Sequence, residues 1–126
     1  VMTAATTLPW NTAAQLGDFR AAIDRYVPGA AKSTVQAEVW AAGKMVEILA
    51  RSLPAAPRPA DFLEGLYGLR NETVGGLFPP VTFLRDAGHG AVNQCVIPVR
   101  IERGGFVPAS PDRFVCAPGW KPAGDG

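Results

Sequence analysis

Cys95-Val96-Ile97-Pro98-Val99-Arg100-Ile101-Glu102-Arg103-Gly104-Gly105-Phe106-Val107-Pro108 is the stretch on which the fold turns. Cys95, Ile97, Val99 and Ile101 alternate with Val96, Pro98, Arg100 and Glu102, which is the two-residue period of a strand with one face buried. Pro98 has no N–H to give a neighbouring strand, so it reads as an edge position. Arg103-Gly104-Gly105 supplies residues for the positive-φ turn of a hairpin, and Phe106-Val107-Pro108 begins the return.

Upstream, Gly75-Gly76-Leu77-Phe78-Pro79-Pro80-Val81-Thr82-Phe83 reads as a strand whose two prolines keep it off a central position. A turn-rich stretch from Asp86 to Asn93 separates it from the hairpin. Before it, the period changes from two to 3.6. Ser33-Thr34-Val35-Gln36 has the form of a capping box, and Val35, Val39, Ala42, Val46, Leu49 and Leu53 follow at spacings of four and three. This predicts a long helix with that stripe buried. Gly43, mid-helix, suggests close approach of another backbone, and Glu47 and Arg51 are placed for an i,i+4 pair worth about 0.3 kcal/mol. An earlier box, Thr12-Ala13-Ala14-Gln15, predicts a first helix. It has Leu16, Phe19, Ile23 and Tyr26 on its apolar face, Asp18, Arg20, Asp24 and Arg25 in solvent, and Pro28-Gly29 as its stop. A third helix follows the stiff Pro54 to Pro59 connector, carries Phe62, Leu63, Leu66 and Leu69, and ends near Arg70-Asn71. The fold class is therefore α/β, three helices followed by a β-hairpin, with a strand at Val1-Met2-Thr3-Ala4-Ala5-Thr6-Thr7.

With 48% hydrophobic and only 18% charged residues, the chain has enough to bury and is not a disordered solvating segment. A net charge of +1 and the lack of any Lys/Arg cluster argue against nucleic acid or an anionic membrane surface as partner. The opening strand has no initiator methionine, basic n-region or long apolar h-region, and reads as the start of a cut piece.

Chemistry-bearing residues are few. Cys95 and Cys116 flank the hairpin at a spacing that fits neither a zinc site nor a thioredoxin motif. Two readings stay open. One is a disulfide, worth roughly 3 kcal/mol on the chain-entropy model and implying an oxidising compartment; the other is a pair of buried free thiols. His89 could serve catalysis only with a nucleophile and a carboxylate. Ser110, Cys116, Asp86 and Asp112 are available without any triad or elbow signature, so a solvated turn histidine is the simpler reading. Gly75-Gly76 leads into a proline-broken strand and not a helix, which rules out a phosphate loop. No enzyme activity, metal or cofactor is expected. Trp10, Val35, Gln36 and Glu38 are the candidate ligand contacts, with Val35 or Trp40 as apolar surface beside Gln36 and Glu38, weighed against capping for Gln36, the buried stripe for Val35 and packing against a neighbouring element for Trp40.

The order of features, with Trp40-Ala41-Ala42-Gly43-Lys44 on the second helix and the Gly75 to Phe83 block before a terminal hairpin, resembles a known family over about residues 1 to 107. It resembles the C-terminal third of the extracellular substrate-binding proteins of branched-chain amino acid type ABC importers, the type I periplasmic binding fold. The resemblance implies two lobes closing on a ligand. Residues 1–83 would belong mainly to the first lobe, 84–116 would form the turn and hairpin leading to the second, and 117–126 a flexible tail. It implies hinge residues at Ala5, Thr6 and Thr7, and a ligand approach around Val35 and Gln36, where an aromatic residue is usual and Val35 departs from the pattern. It further implies a small amino acid-like ligand, an ABC permease as partner, an extracytoplasmic location, and, for the piece alone, weak or no binding with self-association as one way to cover its apolar surface. A ligand-sensing ectodomain of the same fold is the first rival. An autonomous interaction module is the second, and Pro79, Pro80 and Pro98 argue against its binding by β-augmentation.

Overall fold

The computed structural model describes residues 2–85, 91–92, 94–109 and 114–119. His89, Asp86, Ser110, Asp112 and the tail beyond residue 119 lie outside them. The chain is mixed helix and antiparallel sheet. In order it forms β1 (Met2–Ala5), α1 (Gly17–Tyr26), α2 (Thr34–Ala50), α3 (Pro59–Gly68), β2 (Thr82–Phe83), β3 (Ala91–Val92), β4 (Cys95–Glu102), β5 (Gly105–Pro108) and β6 (Val115–Cys116).

β4 is the axis of the main sheet, which corrects the edge reading of Pro98. It pairs with β1 along Ile97 to Arg100 on one side, and with β5 along Val99 to Glu102 on the other. β6 pairs with Cys95 and Val96. In an antiparallel strand each residue sends its N–H and C=O to the same side. Pro98 O accepts from Ala109 N and Gln94 O from Ala117 N, both at 2.9 Å, so this parity faces β5 and β6. The N–H that Pro98 lacks falls at the break between those two strands, and the ladder to β1 is untouched. Cys95, Ile97 and Val99 are buried as the alternation requires, but Ile101 is 44% exposed, beyond the end of the core. Cys95 and Cys116 sit opposite each other in register and form a disulfide that ties β6 to β4. The tight turn places Arg103 at φ 49° and Gly104 at φ 79°, while Gly105 already belongs to the return strand.

One hydrophobic cluster takes Leu8, Leu16, Phe19, Ala37, Ala41, Val74 and Leu77 from the first part of the chain and Ile97 and Val99 from β4. The helices that cover it depart from their sequence reading. The expected cap at Thr12 does not form: its hydroxyl donates to Phe106 O at 3.0 Å, and Ala13 is the first capping position, ahead of a short 3-10 turn over Ala14–Leu16. Arg20, expected in solvent, is half-buried, its Nη1 donating to Trp10 O and Ala13 O at 2.9 Å each, which closes the turn before α1. Tyr26 lies exposed and not on the buried face.

α2 starts where its capping box predicts, with Ser33 Oγ accepting from the Gln36 N–H at 3.3 Å. Its buried face is the other one over the first turns, while Leu49 of the expected stripe is buried at 2% exposure. Ala37 and Ala41 are 0% exposed, while Val35 and Val39 are 67% and 68% exposed, and Val46 is also exposed. The two sets are offset by two residues, roughly 200° around the helix, so burying one set turns the other to solvent. Alanine lets the helix axis come close to the core; valine would hold it away. Glu47 bonds Lys44 at 3.0 Å, not Arg51. Gly43 has no atom within 4 Å of where a Cβ would stand, so no backbone packs there. The close approach is at Gly65 of α3, where a Cβ would lie 3.2 Å from Leu49 Cδ2.

The stretch expected as a strand from Gly75 is a largely buried turn up to Pro80, Val81 forms a single bridge, and strand begins only at Thr82–Phe83, paired with β3. Asn71 and Val74 adopt left-handed backbone at φ 50° and 51°, together with Gly75 and Gly76. Such a φ is costly for a β-branched residue. The turn is held by Glu72 Oε1 accepting from the Val74 N–H, by the Glu72–Val81 bridge, and by the Asn71 N–H donating to the buried Thr82 hydroxyl at 3.0 Å. Leu8 N donates to Leu77 O, which fastens the turn to the segment after β1. α3 begins with Pro59, and the Arg58 guanidinium, donating to Asp61 Oδ1 at 3.2 Å, together with the Arg58 N–H at 2.8 Å from Oδ2, holds the Asp61 carboxyl below the ordinary range. Arg85 forks onto Glu64, with Nη1 on Oε1 at 2.7 Å and Nη2 on Oε2, and stacks over Tyr67. Among the described residues no helix is long and apolar enough to cross a membrane.

Two expectations follow. Gly43→Ala raises stability by up to about 1 kcal/mol through helix propensity, while Gly65→Ala gives no gain or a loss because Leu49 must move; urea midpoints compare them. The Arg85 hydrogen bonds hold the Glu64 pKa below its ordinary 4.5. Its contribution is therefore complete above that value and fades as pH falls through the lowered one. In Arg85→Met the Glu64 midpoint, followed by carboxyl 13C NMR, moves back up toward 4.5.

Candidate functional site

Two depressions flank the first half of α2, one on each side. The larger is a groove of about 500 Å3 between α1 and α2. Phe19 and Trp40 meet edge to face at 6.1 Å and form part of its lining, with Val35, Val39, Tyr26 and Val27 also along it. Several of its polar groups are already engaged. Lys44 bonds Glu47 and stands 5.1 Å over the Trp40 ring, and Gln36 is engaged with Ser33, whose hydroxyl donates to Gln36 Oε1 while accepting from the Gln36 N–H. The groove is apolar surface with little to orient a ligand.

The second depression, about 270 Å3, lies where the chain leaves β1 and passes under α2. Its walls are polar and apolar in turn. Thr3, Thr6, Thr7, Thr34 and Glu38 bring hydroxyls and one carboxylate; Leu8, Val99 and Phe106 bring hydrocarbon. The backbone path puts them together. β1 is held to β4 by the Thr3↔Val99 and Ala4↔Pro98 pairs, so the residues that follow it run along the sheet toward α2. Glu38 is one residue past the buried Ala37 and is thereby turned to the side, where its Oε1 accepts from the Thr6 hydroxyl. Among the described residues Glu38 Oε2 accepts nothing. Thr7 is 1% exposed and its hydroxyl has no partner among the described residues, a state that costs about 1–3 kcal/mol.

The four candidate contacts are thus dispersed. Val35 and Gln36 belong to the groove, and Glu38 to the second depression. Trp10 lies against the core, its carbonyl held by Arg20, and lines neither. Thr3, Thr34 and Phe106 were not singled out from sequence. Nothing local marks them, because Thr6 and Glu38 are 32 positions apart and Phe106 reaches the site only through the hairpin. The arrangement can accept hydrogen bonds, hold one positive charge and cover a small apolar body. Among the described residues no cluster of three or more His, Cys, Asp or Glu is placed to hold a metal ion.

No protein family, curated protein or solved structure matches the chain.

Thr7→Val keeps the shape and removes the unmatched hydroxyl. It is expected to raise the stability of the free protein by about 1 kcal/mol in denaturant unfolding; a clear loss would show that the hydroxyl is satisfied within the chain.

Proposed function

We propose that this chain is the C-terminal portion of a type I periplasmic-binding-protein-like solute-binding protein, capturing a small polar or amino acid-like molecule outside the cytoplasm and presenting it to an ABC permease. The observation that carries the reading is the depression beside β1, where an unshared carboxylate oxygen, several threonine hydroxyls and an apolar wall converge on a volume of small-solute size. Three further points support it. The Cys95–Cys116 disulfide suits an oxidising compartment. The family resemblance places a hinge at Ala5, Thr6 and Thr7, the segment that forms the floor of this depression. Thr6 is bonded to Glu38 on α2, so rotation of that segment would alter the site directly.

On this reading the protein performs no covalent chemistry. Its work is differential affinity, the bound solute favouring one arrangement of the hinge over another. The permease recognises that arrangement.

Titration of the 15N-labelled chain with a panel of small amino acids, their amides, aromatic acids and simple amines tests this. Because the depression covers a ligand on one side only, dissociation constants of about 1 mM, near 4 kcal/mol, are expected. The shifts should centre on the amides of Thr6, Thr7 and Glu38. A chain indifferent to the whole panel at these positions does not bind solutes.

A further inference from the structure

We infer that the depression beside β1 selects a small protonated primary amine with a short apolar body, with Glu38 as its counter-ion, an inference that rests on the solute-binding reading above. Among the described residues Glu38 is the one ionisable side chain in the lining, and no described Lys, Arg or His lines it. An anion placed there meets a carboxylate and no cation. A neutral solute leaves Glu38 Oε2 as it is, accepting nothing from the described residues.

An ammonium group matches what is on offer. It carries three donors and no acceptor. Glu38 Oε2 takes one of them, and threonine hydroxyl oxygens take the others. The Thr6 hydroxyl already spends its proton on Glu38 Oε1, so only its lone pairs face an incoming ligand, which again calls for a donor. Thr6 in this way both positions the carboxylate and extends the acceptor surface. Leu8, Val99 and Phe106 are left to cover hydrocarbon. The volume of about 270 Å3 is close to that of nine liquid-water molecules, enough to cover an amine of a few carbons, while a longer chain would extend into solvent. Thr7 adds a buried hydroxyl in the same wall that no described residue compensates. Among the described residues the carboxylate of a whole amino acid finds no cation in this depression, so the ammonium end is the part recognised here.

The test uses three isosteric probes, isobutylamine, isobutanol and isobutyrate, titrated at neutral pH into the 15N-labelled chain and into Glu38→Gln. Saturable shifts at the Thr6, Thr7 and Glu38 amides are expected with isobutylamine. Isobutanol and isobutyrate should bind at least roughly tenfold more weakly, the scale of one charge-assisted hydrogen bond. Glu38→Gln should remove that advantage without changing isobutanol binding. On the unaltered protein, 0.5 M salt should weaken the amine and spare the alcohol, a check that does not depend on the variant folding. Isobutylamine without a saturable response, or bound equally by Glu38→Gln or in high salt, overturns the assignment. If isobutanol or isobutyrate then shifts the same amides, solute binding survives and the amine selectivity alone falls. If none of the three does, and the wider panel also fails, both fall together.

Discussion

Pairing along both edges of β4 is the constraint from which the rest of the structure follows. β1 holds one edge and β5 the other, with β6 joined to its N-terminal end by register and by the Cys95–Cys116 disulfide. Ile97 and Val99 are thereby presented as a fixed apolar surface, and Ala37 and Ala41 of α2 enter the same buried cluster. A central strand is an unusual place for proline. It is tolerated because the parity of Pro98 directs its missing donor at the break between β5 and β6, and not at β1.

The candidate site is a by-product of that packing. With β1 pinned to β4 and α2 seated through two alanines, the chain between them has to run under the helix, and Thr6 comes within hydrogen-bonding reach of Glu38. The result is a pocket wall that mixes unmatched acceptors with hydrocarbon. The groove on the other side of α2 is larger, and Lys44, Glu47 and Gln36 along it are engaged in local pairs. On the proposed reading the smaller depression is the one that recognises the solute.

Much of the local structure is legible in the residues because its causes are local. Ser33 and Gln36 start α2, Pro59 starts α3, and Arg103-Gly104 make the hairpin turn through backbone preferences that need no partner. Misreadings arise where two local solutions compete. α2 has an alanine stripe and a valine stripe on opposite faces, and transfer free energy favours burying valine. The alanines are buried because close packing of the helix on β4 and α1 gains more than the exposed valines lose. Thr12 is similar: its hydroxyl can cap a helix, but Phe106 O is brought within 3.0 Å by the hairpin and takes it. Arg20 would be solvated on an isolated helix; here two carbonyls of the preceding turn hold it.

By itself the sequence determined that there would be three helices and a terminal hairpin, and where most of them begin. Those properties depend on hydrogen bonds and side-chain spacings within one turn or one strand pair. The tertiary structure alone decided which face of α2 is buried, that β4 lies at the centre of the sheet, and that Glu38 meets Thr6 while Trp10 and Val35 are directed elsewhere. Each of those outcomes depends on contacts between residues tens of positions apart, where shape and the matching of buried polar atoms choose among locally equivalent alternatives.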